Sequence, residues 1–213
     1  MNNKTLLSTS LIILIVLSAI SCGRHKKDYI LNEDFDSNKL GWCEEFTAAH
    51  TTEIKDGFLY IKSDDTSRQQ TSNGPLNRSF LYDFPKNYEI TSSIQSLGQF
   101  VPKHYYGIIL ISGSLTYKFE ISDSSNATIM ATEYDENKDA ETYLISKTWE
   151  DFGTDSLPVN FKVDVKDRAF EFYINDQLIG TGKLKTKNFV DVRLFTTSGS
   201  SVKVDYLRIK KVE

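Results

Sequence analysis

Asn160-Phe161-Lys162-Val163-Asp164-Val165-Lys166-Asp167-Arg168-Ala169-Phe170-Glu171-Phe172-Tyr173-Ile174-Asn175-Asp176-Gln177-Leu178-Ile179 is the stretch that decides the fold. Phe161, Val163 and Val165 alternate with Lys162 and Asp164, and Phe170, Phe172 and Ile174 alternate with Glu171 and Tyr173. Side chains two apart share one face of a strand, so each segment buries one face and wets the other. Lys166-Asp167-Arg168 between them makes a tight hairpin. Asn175-Asp176 makes a second turn, because both residue types tolerate positive φ better than most. Three consecutive strands joined this closely run antiparallel.

Outward from this hairpin the same period recurs. Strands are predicted at Phe58–Ile61, Tyr88–Ile94, Tyr106–Ile111, Leu115–Ile121, Ala127–Glu133, Thr142–Ile145, Val190–Phe195 and Val202–Ile209. Tyr117, Phe119 and Ile121 are set against Thr116, Lys118 and Glu120 in the same alternation. Lys55-Asp56-Gly57 opens the first of these strands with a turn pair. The polar stretches Ser63–Leu76, Asp135–Glu141 and Ser146–Pro158 read as loops at sandwich ends or rims, where binding sites are often placed. A 3.6-residue apolar period is nowhere sustained for three turns. So many short strands at this spacing predict an all-β, two-sheet antiparallel β-sandwich.

The first residues read as a processing signal. Lys4 precedes an apolar run from Leu6 to Ile20, shorter than the ~20 residues of a spanning helix. Ser21-Cys22-Gly23 at its end is similar to a lipobox, in which Cys22 is diacylated and becomes the new N-terminus. The expected division is a signal peptide over 1–21, a lipidated tether over 22–30 and a sandwich over 31–213. That places the protein in the cell envelope outside the cytoplasm, at the outer membrane or cell surface. An ordinary signal peptide with an incidental cysteine is the alternative. The chain carries net charge −4 and a pI near 5.5. Its one basic cluster, Arg24-His25-Lys26-Lys27, lies beside the anchor, so a nucleic-acid partner is excluded. With Cys22 lipidated, Cys43 is left alone and reads as a small packed residue.

The order of the pieces resembles the concanavalin A-like, or laminin-G-like, jelly-roll domains of bacterial envelope and secreted proteins. Glu33-Asp34-Phe35 with Gly41-Trp42 is similar to that family's opening, and Asp56-Gly57-Phe58-Leu59-Tyr60-Ile61 to its first long strand. Phe170 to Ile179 is similar to "F-x-F-Y-V-N-G-x-x-V", with Asp176 in place of Gly. Val202-Lys203-Val204-Asp205-Tyr206-Leu207-Arg208-Ile209 is similar to "V-x-V-D-x-L-x-I". The likeness covers about residues 31–212 and specifies fold better than function. It implies a structural calcium held by Asp205 and by carbonyls of Gly57 and near Glu33. The alternative is that Asp205 faces water or pairs with Lys203. No other cofactor is required.

Glycosidases of that superfamily carry a Glu-x-Asp-x-x-Glu strand on the concave face, and this chain lacks it, so no catalytic residue is assigned. Asp135 to Glu141 is rich in carboxylates but reads as a solvated loop. Asp164 and Asp205 lie on strands with no carboxylate two residues away. No HExxH, CxxC or G-x-S-x-G pattern occurs. Aromatic residues near loops are candidates for stacking on sugar rings: Tyr105 and Trp149 foremost, with Tyr134 and His104. Cross-strand or core packing is the competing role for each. The sequence thus predicts a lipid-anchored, non-catalytic sandwich whose partner is a polysaccharide, an oligosaccharide or a protein. The alternatives are a glycoside hydrolase or lyase with a diverged concave-face site, and a structural envelope protein.

Overall fold

The computed structural model describes residues 29–47, 49–64, 70–76, 84–99, 104–122, 126–150 and 157–213. The signal segment, Cys22 and the tether as far as Asp28 lie outside the described residues. In chain order the strands are β1 (Tyr29–Glu33), β2 (Glu45–Phe46), β3 (His50–Lys55), β4 (Phe58–Ser63), β5 (Gln70–Asn73), β6 (Asn87–Gln99), β7 (Tyr105–Ser112) and β8 (Leu115–Ser122). They continue with β9 (Ala127–Asp135), β10 (Ala140–Trp149), β11 (Val159–Lys166), β12 (Ala169–Ile174), β13 (Gln177–Lys183), β14 (Asp191–Thr197) and β15 (Ser200–Lys211).

They form two antiparallel sheets. One has nine strands in the order β13-β12-β11-β6-β15-β4-β3-β2, with β1 added on β15; the other has six, β10-β9-β8-β7-β14-β5. The alternation read from the sequence is what holds them face to face. Phe161, Val163, Val165, Phe170, Phe172 and Ile174 of the larger sheet are all buried, as are Tyr106, Ile108, Leu110, Tyr117, Phe119 and Ile121 of the smaller. Phe119 meets Phe170 and Phe172 edge-on across the interface, each at 5.3 Å between ring centres, and Tyr106 meets Phe161 at 6.0 Å. The architecture is the expected all-β sandwich.

The turns are where left-handed backbone is needed. Asp56 and Gly57 have φ of 53° and 76°, Asp167 and Arg168 of 45° and 76°, and Asn175 and Asp176 of 48° and 63°. Two positive φ values in a row match the twist of flanking strands. Asp176 therefore takes the conformation a glycine would take, whereas Arg168 adopts it without the local side-chain hydrogen bonding open to Asn or Asp.

Three predicted loops are corrected. Ser63–Leu76 contains β5, which pairs with β14 through Asn73↔Leu194 to Gln70↔Thr197. Asp135–Glu141 shrinks to the turn 136–139, and β10 runs on from Ala140 to Trp149, past the predicted end at Ile145. Strands β1, β2 and β3 were also not predicted. Gln70-Thr71-Ser72-Asn73 and His50-Thr51-Thr52-Glu53 lack apolar alternation, and their pairing comes from the ladder rather than from a buried face.

Candidate functional site

Residues on the six-stranded sheet that do not enter the core fall on its outer face, in rows set by the register. One row reads Phe195–Gly107–Glu120–Met130–Ser146 and the next Arg193–Ile109–Lys118–Thr132–Tyr143. Ile109 and Phe195 are shielded from water without joining the main core cluster. Exposure is 2% at Ile109, 1% at Phe195, 1% at Thr132 and 7% at Glu120, values expected for the interior rather than for a solvated face.

Gly107 helps to make this place. A Cβ there would lie 2.0 Å from the Phe119 carbonyl oxygen and 3.0 Å from the Glu120 Cα. Only a residue with no side chain lets β7 and β8 approach so closely beside Glu120. Glu120 itself accepts no hydrogen bond and makes no ion pair among the described residues. Burial pushes its carboxyl up to about 7, the Lys118 ammonium two positions along opposes the rise, and the charge of Glu141 adds to it. The Thr132 hydroxyl, diagonal to Glu120, is buried with no hydrogen-bond partner in the structure. Buried polar groups are nearly always satisfied. The Thr132 hydroxyl left open beside the largely buried Glu120, over an apolar floor, forms a surface suited to an added ligand.

Around them stand Tyr105, half-buried and hydrogen-bonded to Thr128, and Tyr143, which is 60% exposed. Burial, with the charge of Glu120 and the neighbouring Tyr143, holds the Tyr105 phenol above its ordinary range. At the far row Arg193 donates from Nε to Asp191 at 2.6 Å.

Of the aromatic candidates, Tyr105 thus lies on this face beside Glu120. Tyr134 points outward from β9, but its hydroxyl donates to Asp139 at 2.9 Å in the β9–β10 turn. His104 is wholly buried just before β7, with Nε2 3.4 Å from the Ser96 hydroxyl and its ring tilted over Tyr106. Trp149 is opposite Ala127 in the β9–β10 register and packs half-buried against the core. Glu120, Lys118 and Thr132 were not singled out in the sequence. Lys118 and Glu120 read there only as the wet side of an alternation.

A second line of carboxylates crosses the outer face of the nine-stranded sheet. Asp164, with no acidic neighbour along its own strand, has Glu89 opposite on β6 and Glu171 opposite on β12. Glu89 is held above the usual carboxylate range by burial first and the Asp164 charge second, and it is hydrogen-bonded to Asp164. The line borders a hollow of about 360 Å³ lined by Asp164, Lys166, Ala169, Phe170, Glu171, Thr181 and Gly182. Each carboxylate in this line already has a partner: Tyr173 donates to Glu171 at 2.6 Å, and Lys162 lies 3.8 Å from Asp164. That is the pattern of a solvated face, and it differs from the unpartnered Glu120.

The residues assigned to calcium by resemblance converge at one junction. β15 pairs with β4 as far as Val204↔Leu59 and with β1 from Leu207↔Glu33, so Asp205 falls between the two, abreast of the end of β4 at Phe58. A Cβ on Gly57 would lie 3.4 Å from Asp36 Oδ1. The Glu33 carboxylate is already engaged, accepting from the Phe35 N–H and from Trp42 Nε1, both at 3.1 Å. Among the described residues no three His, Cys, Asp or Glu side chains are grouped to hold a metal. Asp205 and Asp36 are both exposed. Lys203 stands over the Phe58 ring at 3.6 Å rather than on Asp205.

No protein-family model matches the sequence, and no curated protein is detectably related to it. Solved structures do share the fold. A structure described with the endo-acting O-glycanases that human gut microbiota express to initiate mucin breakdown superposes with TM-score 0.64 at 11% identity, covering 87% of this chain and all of that one. The β-glucanase of Bacillus licheniformis gives 0.61 at 10% identity over 85% of this chain and 98% of its own. The carbohydrate-binding module CBM66 of Bacillus subtilis gives 0.57 at 10% over 80% and 96%. Against the larger GH43 protein BlXynB the chain spans 40% of the length. These likenesses establish a jelly-roll sandwich shared with carbohydrate-active proteins.

Proposed function

We propose that this protein is a lipid-anchored envelope protein that binds glycans on the outer face of its six-stranded sheet. The observation that carries this reading is the largely buried Glu120, without a partner among the described residues, beside the orphaned Thr132 hydroxyl, with Tyr105 and Tyr143 next to them. Sugars offer hydroxyls to such polar groups and apolar C–H faces to aromatic rings. The names of the fold's relatives, a β-glucanase and a carbohydrate-binding module among them, support the same ligand class. Lipid on Cys22 holds the sandwich outside the cytoplasm, and a calcium ion at the β1–β4–β15 junction supports the fold. A glycan array probed with the protein tests the reading, with saturable binding that weakens in Tyr105→Ala and Tyr143→Ala as the expected result. Silence across neutral and charged glycans would leave a protein partner as the better account.

One observation favours a second reading. A carboxyl still partly protonated near pH 7 is suited to donate a proton to a glycosidic oxygen. Hydrolysis also needs a second carboxyl about 5 Å away in retaining enzymes and roughly 6.5–9.5 Å away in inverting ones. Glu141 is the acidic residue whose charge reaches Glu120. Release of shortened products from a bound oligosaccharide, lost in both Glu120→Gln and Glu141→Gln, would establish a hydrolase instead.

A further inference from the structure

Glu120 is a largely buried carboxyl, 7% exposed, with no hydrogen bond or ion pair among the described residues. Removing a carboxylate from water costs several kcal/mol unless hydrogen bonds or charges replace the lost hydration. Lys118 is close enough to lower the cost but makes no ion pair with it. The Thr132 hydroxyl stands opposite Lys118 and diagonal to Glu120, about 7–8 Å from it in a regular antiparallel pair. Gly107 lets the β7 backbone close onto β8 beside Glu120, and Ile109 and Phe195 are buried in the adjoining rows.

We propose that Glu120, flanked by Thr132 and Lys118, is the point at which a neutral glycan is recognised, its carboxylate receiving hydrogen bonds from two adjacent sugar hydroxyls. This rests on the glycan-binding reading above and deepens it. A carboxylate accepts through two oxygens, and two neighbouring hydroxyls on one sugar ring match that pair. Thr132 is placed to exchange a hydrogen bond with a third group on the same ring, while Tyr105 and Tyr143 flank it.

The charge on the face selects against acidic sugars. Glu120, Glu141 and Asp191 face outward with Lys118 and Arg193, and Arg193 is committed to Asp191. A uronate or a sulfate added here meets surplus negative charge, whereas a neutral ring does not.

Binding is then linked to protons. Among the described residues, the groups facing Glu120 are Lys118 on its own strand, Tyr105 on β7, Tyr143 and Glu141 on β10, and the Arg193–Asp191 pair on β14; Met130 opposite on β9 does not titrate. Hydroxyl donors from a sugar stabilise the ionised carboxylate and not the protonated one. A ligand of this kind binds more tightly as pH rises through neutrality and displaces a proton when it binds below that point.

The test uses immobilised neutral, uronate-containing and sulfated oligosaccharides, then calorimetry with a neutral hit between pH 5.5 and 8.5 in two buffers of different ionisation enthalpy. Loss of one charge-assisted hydrogen bond predicts at least about a tenfold fall in affinity for Glu120→Gln and a smaller fall for Thr132→Val. Wild-type affinity should rise with pH and show proton release, and both effects should vanish in Glu120→Gln. Thermal melting of each variant confirms that it folds. Unchanged affinity in Glu120→Gln, or a flat pH profile, overturns the role of Glu120 while glycan binding stands. Preference for sulfated or uronate sugars overturns the neutral-ligand assignment. Absence of any glycan binding by the wild type overturns the underlying reading.

Discussion

The burial of Glu120 has a consequence for stability that needs no ligand to test. In the folded chain its carboxyl lies near 7, against an ordinary 4.5. Below the lower value both folded and unfolded forms are protonated and burial costs little. Between the two the folded chain holds the extra proton, so stability falls as pH rises. Above the upper value the full penalty is present, an upper bound of roughly 3 kcal/mol at 1.36 kcal/mol per unit. Glu120→Gln removes the titration but buries an amide, which itself costs about 1–3 kcal/mol. The diagnostic quantity is therefore the slope rather than the offset. Urea or thermal unfolding of wild type and variant at half-unit steps from pH 4 to 8.5 should show the difference moving in the variant's favour by about 2–3 kcal/mol across that range. For a chain of this size each kcal/mol shifts the melting point by about 2–4 °C. Glu89 titrates in both proteins and cancels. A difference independent of pH, or one that moves the other way, would refute the claim that Glu120 is an uncompensated buried carboxyl.

Other perturbations follow from single contacts. Arg168→Gly should stabilise by about 1 kcal/mol in urea unfolding, because φ of 76° is costly for arginine and free for glycine. Glu33→Ala strips the acceptor from Trp42 Nε1 and the Phe35 N–H; a loss of roughly 2–4 kcal/mol is expected, with altered indole fluorescence. Cys22→Ala should move the protein from the membrane to the soluble envelope fraction and abolish labelling by a fatty-acid analogue. If calcium binds at the β15 junction, millimolar calcium should raise the melting point, and Asp205→Asn should remove the effect.

How much of this was legible in the sequence depends on what each residue's environment is made of. Phe161, Val163, Val165 and Phe170, Phe172, Ile174 announce their strands because the buried face of a central strand is written in its own alternation. Gln70 to Asn73 do not, since an edge strand owes its place to hydrogen bonds with β14 and any polar residue can make them. The junction around Asp205 was approachable only through resemblance to known domains. The state of Glu120 was hidden for a different reason. It sits in the solvent phase of β8, yet it is only 7% exposed, and a strand's own alternation does not carry that burial. Trp149 shows the converse: its position beside a polar stretch suggested exposure, but β10 runs on through it and turns the ring toward the core. Periodicity tells which side of a strand a residue occupies, and only the register across strands tells what waits there.

The place of β15 in the larger sheet also sets an order of events. This last strand runs between β6 on one side and, on the other, β4 at its beginning and β1 at its end, with Leu31 paired to Ile209. β1 and β15 are thus neighbours, and the sheet has a gap at its middle until the twelve residues of β15 exist. Pairings this remote in sequence are slow to form, because a long loop must close before they repay its entropy. A chain emerging from a ribosome must keep β1, β4 and β6 unsealed until β15 has followed them. Deleting residues 200–213 should therefore leave an open, aggregation-prone chain rather than a trimmed sandwich.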